Sequence, residues 1–284
     1  MFPELSPLAR TNNAHVMQAH AFLENSSLFQ SYVFTFDKIP PRELDNVTED
    51  GEDDDSVSFV ISLTALLECL NIFGADARER PGFARGDQHP MGLLRLGGTC
   101  RFLYEAEGCP LILMVEENGV LTTCELTTYE AEEEFNISLS DGGLASKIIM
   151  KSEWLHDAIQ ELETPQTEHL TIRTSPRKPH FRLGSYGNLG SAEMDYPNDR
   201  SVLETFICPD VVKNSYRFTM IKLASKAMSL ATKASVRTDE NGVLSIQFMI
   251  SFSNGKNSFV DFRYLPEVEE HLDRSEDTNI HLDI

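Results

Sequence analysis

The apolar positions of this chain follow two different periods, and the changes between them mark its elements. From Val16 to Phe36 they come in two dense runs, VMQAHAFL and SYVFTF, around Asn25-Ser26-Ser27, and predict two strands. In Ser62–Phe73 the period lengthens. Leu63, Leu66, Leu67 and Leu70 stand at i, i+3, i+4 and i+7, which predicts a helix with Ser62 as N-cap and Gly74 as its stop. Residues 76–98, rich in Gly, Pro and Arg, predict a loop, and strands return from Cys100 to Leu126. Thr127–Gly143 has no clear period and predicts a connector, followed by a short strand at Ser146–Lys151. Ser152–Leu162 repeats the helical spacing at Leu155, Ala158, Ile159 and Leu162, with Ser152 as the expected cap. Strands are expected at His169–Thr174, His180–Ser185, Val202–Cys208 and Tyr216–Met220. A last helix, Ile221–Thr232, and a closing strand, Phe259–Tyr264, complete the pattern. Strand-rich halves with few, short helices predict an α+β fold with helices on one face of the sheets.

One pentapeptide occurs twice, Glu117-Asn118-Gly119-Val120-Leu121 and Glu240-Asn241-Gly242-Val243-Leu244, each time between apolar runs. Asn-Gly favours a type I′ turn, in which both central residues need φ > 0. Each copy therefore predicts a hairpin tip, joining Leu111–Val115 to Val120–Leu126 and Ala234–Thr238 to Val243–Ile250. Each is preceded by an amphipathic helix, which suggests one structural unit used twice.

Charge changes this picture more than composition does. An apolar content of 41% is that of a globular protein, and 284 residues suffice for one large or two ordinary domains. No run approaches the ~18 apolar residues of a membrane span and no basic-then-apolar leader is present, so the cytosol or nucleus is expected. The net charge is −21, from 24 Lys and Arg against 45 Asp and Glu, and by itself argues against nucleic acid. Much of the excess is local: Glu49–Asp55 (EDGEDDD), four glutamates in Glu130–Glu134, and the tail Glu267–Ile284. Such blocks repel themselves and form solvated loops or tails. A divalent metal in Glu49–Asp55 is conceivable in carboxylate chemistry, but the spaced ligands of a calcium loop are missing.

The few cations show one pattern. Lys222 and Lys226 on the last expected helix, and Lys233 beyond its end, fall within about 40° on a helical wheel. Leu223, Ala227, Leu230 and Ala231 take the opposite side, and Lys151 precedes the other helix of this half. Lysines on exposed helix faces are common, so the stripe acquires weight only with further support. Other chemistry is not signalled. The five cysteines have no C-x-x-C spacing and read as buried reduced thiols; the eight histidines are dispersed. Gly184–Gly190 (GSYGNLG) is not a dinucleotide fingerprint and reads as a strand-connecting turn. No residue is assigned as catalytic or as a metal ligand, and no cofactor is expected.

Six stretches, VMQAHAFLENSSLFQSYVF (16–34), FVISLTALLECLNIFG (59–74), GCPLILMVEENGVLTTCEL (108–126), KIIMKSEWLHDAIQEL (147–162), PHFRLGSYGNLGSAEMDYP (179–197) and KASVRTDENGVLSIQFMI (233–250), agree in order and spacing with a known family. The chain resembles the Rad-one subunit family of the checkpoint sliding clamp, the nine-one-one ring. The resemblance implies the fold of proliferating cell nuclear antigen, two similar halves with helices lining a central hole and antiparallel sheets outside. It implies a first half at 1–126, an interdomain connector at 127–145, a second half at 146–266 and an acidic tail at 267–284. Family members carry a strand, a helix and further strands before the segment that matches Val16, so the first half is expected to be incomplete.

The same resemblance implies a non-enzymatic, nuclear subunit of a heterotrimeric ring that encircles double-stranded DNA in the damage checkpoint and in repair. Its partners would be two other clamp subunits, a clamp loader, repair enzymes and checkpoint proteins. Lys151, Lys222, Lys226 and Lys233 would face the DNA. Strands carrying Leu111, Ile112, Leu113, Met114 and Val115, and Val202, Leu203, Glu204, Thr205 and Phe206, would join neighbouring subunits by strand addition. Two other readings are a metal-dependent 3′→5′ exonuclease, which needs carboxylates converging on metal ions ~4 Å apart, and an interaction scaffold without DNA contact.

Overall fold

The computed structural model describes residues 8–13, 15–35, 57–72, 99–117, 119–130, 136–140, 143–164, 166–188, 190–252 and 255–267. The acidic run Glu49–Asp55, the expected loop 76–98, the Gly74 stop and the tail beyond Glu267 lie outside them. In chain order the elements are β1 (Leu8–Asn13), β2 (Met17–Phe22), α1 (Asn25–Leu28), α2 (Leu63–Ile72), β3 (Thr99–Leu103), β4 (Leu111–Glu117), β5 (Val120–Leu126) and β6 (Leu144–Lys151). They continue with α3 (Ser152–Leu162), β7 (Thr167–Thr174), β8 (Phe181–Gly187), β9 (Gly190–Tyr196), β10 (Leu203–Ile207) and β11 (Val212–Arg217). Two short helices, α4 (Phe218–Lys222) and α5 (Ser225–Leu230), lead to β12 (Lys233–Asp239), β13 (Leu244–Ser251) and β14 (Asn257–Tyr264). All strand pairings are antiparallel.

Packing divides the chain into two compact units, residues 1–34 with 135–284, and residues 35–134. The larger unit holds a seven-stranded sheet, ordered β1-β2-β14-β13-β12-β6-β10, and a four-stranded sheet, ordered β11-β7-β8-β9. This division does not follow the expected first half, 1–126. β2 pairs along its whole length with β14, from Phe259↔Phe22 to Tyr264↔Met17, and that ladder fixes the first strands among the last. The core of this unit joins Ile148 and Met150 of β6, Leu155, Ala158, Ile159 and Leu162 of α3, Phe181 and Leu183 of β8, and Val236, Ile246 and Phe248 of β12 and β13. Burying each such side chain is worth roughly 1.5–3 kcal/mol, so this cluster is the main driving force of the unit.

The apolar face of α3 is the expected one. Its start differs: Ser152 is not the cap but a fully buried residue whose hydroxyl donates to the Met228 carbonyl of α5 at 2.8 Å. The last helix departs further. Phe218, expected in a strand, opens α4, and the chain leaves the helix at Leu223 and Ala224, whose N–H groups reach back only three residues, to Met220 and Ile221 at 3.1 Å each. Phe218, Ile221, Ala224 and Met228 are buried, whereas Leu223 and Leu230 are 50% and 42% exposed. Two apolar faces satisfied the helical period, and the one carrying the larger core residues won.

The smaller unit is a three-stranded sheet, β3-β4-β5, with α2 against it. The Ser62 hydroxyl accepts the Ala65 N–H at 3.3 Å, as expected of an N-cap. Leu66 packs against the small cluster of Leu111, Leu113 and Leu126, but Leu63, Leu67 and Leu70 stay 50%, 50% and 37% exposed. The expected apolar face is thus mostly on the surface of this unit.

The two ENG hairpins close differently. In the first, Glu117 pairs with Val120 across a two-residue loop and Gly119 has φ +79°. In the second, the Gly242 N–H donates to the Asp239 carbonyl at 3.1 Å and the Asp239 N–H to the Val243 carbonyl at 3.2 Å. His15 is the one described non-glycine residue with positive φ, so Asn241 does not take the conformation a type I′ turn requires. The second tip is a three-residue loop closed by Gly242 at φ +79°.

Candidate nucleic-acid interface

The four expected DNA-facing lysines all lie in the larger unit, but not on one helix face. Because the chain turns between α4 and α5, the single wheel that aligned Lys222, Lys226 and Lys233 does not exist. Lys222 ends α4, Lys226 sits in α5 and Lys233 opens β12. The sheet register makes a closer pair instead: Lys233 stands directly opposite Lys151 at the end of β6. Lys151 carries its ammonium 5.1 Å above the Trp154 ring. Lys222 pairs with Glu163 and Lys233 with Glu204, each at 2.5 Å, while Lys226 is exposed.

These exposed pairs hold little energy, about 0–1 kcal/mol each, so a phosphate can replace the carboxylate at small cost. The helix layer is nevertheless not a basic surface. Glu153, Asp157 and Glu161 of α3 are exposed at i, i+4 and i+8. This acidic stripe was readable in SEWLHDAIQEL from its four-residue spacing, beside the apolar face that drew attention first. A polyanion near these helices meets cations and carboxylates together, which favours loose, salt-sensitive contact without sequence readout.

The expected interface strands fare unequally. β10 ends the seven-stranded sheet and pairs only with β6 among the described residues, so its other edge is open. Leu203 is buried in the core, Glu204 is exposed, Thr205 and Phe206 are half-buried, and Val202 lies just before the strand. Leu111, Ile112, Leu113, Met114 and Val115 are corrected: they form β4, the central strand between β3 and β5, with both edges already hydrogen-bonded. Strand addition to this sheet is left to β3 or β5, and β5 exposes Val120 and Leu121.

The expected connector is anchored through polar groups. Thr127–Glu130 belongs to the smaller unit, where the Tyr129 N–H donates to the Val60 carbonyl at 2.8 Å. Residues 136–140 belong to the larger one. The Ile137 N–H donates to Gln18 Oε1 at 2.9 Å, Arg263 donates to the Ile137 carbonyl at 2.8 Å, and the Ser140 N–H donates to Asp239 at 2.9 Å. Arg263 is itself held by Asp261, a buried carboxylate that also accepts from Ser245 at 2.6 Å. A separate cavity of about 300 Å³ is lined by Val16, Tyr216, Met220, Tyr264, Leu265 and Pro266 with Arg217 and Glu267. Among the described residues no three His, Cys, Asp or Glu side chains stand close enough to share a metal ion, and no helix is long and apolar enough to cross a membrane.

Comparison with known proteins gives a consistent set of relatives. The family model described as Repair protein Rad1/Rec1/Rad17 matches residues 9–250. The DNA damage checkpoint control protein rad1 of Schizosaccharomyces pombe is 40% identical over 252 residues, which cover 88% of this chain and 73% of that protein. The human cell cycle checkpoint protein RAD1 is 37% identical over 258 residues, covering 90% of this chain and 79% of the relative. A more distant relative, the DNA repair exonuclease REC1 of Mycosarcoma maydis, is 23% identical over 283 residues, covering 74% and 60%.

Proposed function

We propose, given that this chain belongs to the Rad1/Rec1/Rad17 family of repair proteins, that it is a subunit of a checkpoint DNA clamp that acts in damage signalling and repair. The observation that carries this reading is the family match through residues 9–250, which runs across both compact units. The α+β architecture, antiparallel sheets with few helices, is the one a sliding clamp uses.

The subunit works in the nucleus within a heterotrimeric ring, with two other clamp subunits and a loader that opens it around double-stranded DNA. Ring closure supplies the hold, so the contacts to DNA need only be weak. Lys222 and Lys233 suit that role because their carboxylate partners, Glu163 and Glu204, are exchangeable; exposed Lys226 and Lys151, which stands opposite Lys233, act beside them. The open edge of β10 and the edge strand β5 are the joints to the neighbours, in place of β4. The connector and the cavity beside Tyr264 receive repair enzymes and checkpoint proteins.

The test is reconstitution with the two partner subunits, followed by size-exclusion chromatography with light scattering. A 1:1:1 ring is expected, and Thr205→Pro on β10 should abolish it while the isolated chain keeps its fold. Unchanged assembly would remove β10 as a joint. The exonuclease reading draws on the name of the Mycosarcoma maydis relative. It requires an activity that co-purifies to homogeneity and is lost on substituting one carboxylate.

A further inference from the structure

The five cysteines, expected as buried thiols, are only partly covered: Cys100 is exposed, the other four are half-buried, and all are free. Two of them meet. Cys69 lies on α2 and Cys124 on β5, and the helix packs against that strand. With Ala65 and Leu66, Cys69 forms the narrow face that α2 lays on the cluster of Leu111, Leu113 and Leu126. Cys124 reaches the same cluster from the sheet, where it stands directly opposite the fully buried Leu113. The two thiols are close enough to hydrogen-bond to each other.

Their setting decides what chemistry they can do. Burial, the Cys124 thiol and Glu68 push the Cys69 thiol up from its ordinary range, so thiolate is scarce and a first attack on an oxidant is slow. In a reducing compartment such a pair rests as two thiols. Once one sulfur has been oxidised, the other is already in place, and closure of the bond needs no encounter. Cys100 cannot compete for Cys124. β4 lies between β3 and β5, which sets the two backbones roughly 9–10 Å apart, beyond the ~7 Å that a disulfide spans.

We propose that Cys69 and Cys124 form a reversible disulfide that staples α2 to the edge strand β5 when the chain meets a peroxide. One thiolate attacks a peroxide oxygen, the O–O bond breaks, and a sulfenic acid forms as water leaves. The second thiol attacks the sulfenic sulfur, forms the S–S bond and releases another water. In sum two thiols lose two electrons and two protons, and one hydrogen peroxide is reduced to two waters. A small thiol reverses the bond by exchange. The staple matters because α2 is otherwise lightly seated, with Leu63, Leu67 and Leu70 turned to the surface of this unit. A covalent tie between helix and sheet restricts the unfolded chain and so stabilises the smaller unit.

The test treats the full chain with hydrogen peroxide, blocks the remaining thiols with N-ethylmaleimide, and measures intact mass and tryptic peptides with and without dithiothreitol. The expected result is a loss of two hydrogen masses, two fewer alkylated cysteines, and one linked peptide pair containing Cys69 and Cys124. Dithiothreitol should reverse all three. The oxidised chain should also unfold at higher urea than the reduced one, a shift that Cys69→Ser and Cys124→Ser each abolish. The linked peptides are read on the unsubstituted chain, so the proposal is tested even if a variant fails to fold. A link through Cys100, Cys109 or Cys208, a covalent dimer, or oxygen gained at Cys69 or Cys124 without a link would overturn it. So would an unchanged mass, or a linked chain whose urea midpoint does not move.

Discussion

The two copies of Glu-Asn-Gly-Val-Leu are identical in sequence and opposite in environment. Val243 and Leu244 are 8% and 0% exposed, whereas Val120 and Leu121 are 65% and 62% exposed. The second copy joins two interior strands of a seven-stranded sheet, and the first joins a central strand to an edge of a three-stranded one. Their turns differ as well, and the cause lies one residue upstream. Asp239 is buried, and its carboxylate accepts the N–H groups of Asn241 at 3.0 Å and Val243 at 2.8 Å, besides that of Ser140. This side chain is short enough to reach its own backbone two residues on and so holds a three-residue loop. Glu116, which precedes the first copy, has one more methylene and points into solvent. Five residues specify that a hairpin forms; the sixth and the surrounding sheet decide which one.

The largest expected contrast is in the leucines. Leu244→Ala should cost about 2–5 kcal/mol and Leu121→Ala less than about 0.5 kcal/mol, measured by urea denaturation. Equal costs would mean that the first copy is buried too. Next come the residues before each copy. Asp239→Ala leaves three N–H groups without their acceptor and should cost about 2–4 kcal/mol, against roughly zero for Glu116→Ala. Asp239→Glu should cost nearly as much if side-chain length selects the turn.

The glycines should differ less. Both have φ +79°, where any side chain is strained by about 1–2 kcal/mol. A Cβ on Gly242 would also meet the Asn214 side chain at 2.7 Å, and one on Gly119 meets nothing within 4 Å. Gly242→Ala should therefore exceed Gly119→Ala by about 1 kcal/mol in the same titration, on the scale of a modest overpacking cost.

The smallest effect concerns Tyr216, whose hydroxyl donates to the Gly242 carbonyl at 2.8 Å. Burial pushes its phenol above the ordinary range, as it does for Tyr264. A folded-state pKa raised above the unfolded value gives stability that is complete below about pH 10 and is lost as the pH rises above it. Tyr216→Phe should cost about 1 kcal/mol at neutral pH and make the alkaline loss shallower, as followed by denaturation at stepped pH.

Local pattern carried much of the fold. α3 was legible because Leu155, Ala158, Ile159 and Leu162 all face the core the spacing implied, and the Ser62 cap followed from its position before the leucines. What needed long-range partners was not. The centrality of β4 depends on β3, which returns from beyond residues 76–98, and the seat of β2 depends on β14, more than two hundred residues away. In the last helix two apolar faces competed, and only the packing of Phe218 and Met228 decides between them. Of the candidate site, the lysines were readable but their alignment was not, because it assumed one helix. The meeting of Cys69 with Cys124 could not be read at all, since no spacing announces it and the two come together only through the packing of α2 on β5.

In the function proposed above, a ring containing this chain holds DNA by topology and touches it only weakly. Its most direct test loads the reconstituted ring onto nicked circular DNA, washes in high salt, and then linearises the circle. The ring should stay on the circle and slide off once an end is made, with the Lys151, Lys222, Lys226 and Lys233 quadruple alanine variant still retained on circles but loaded more slowly. Retention that is the same before and after linearisation, or absent from circles altogether, would contradict it.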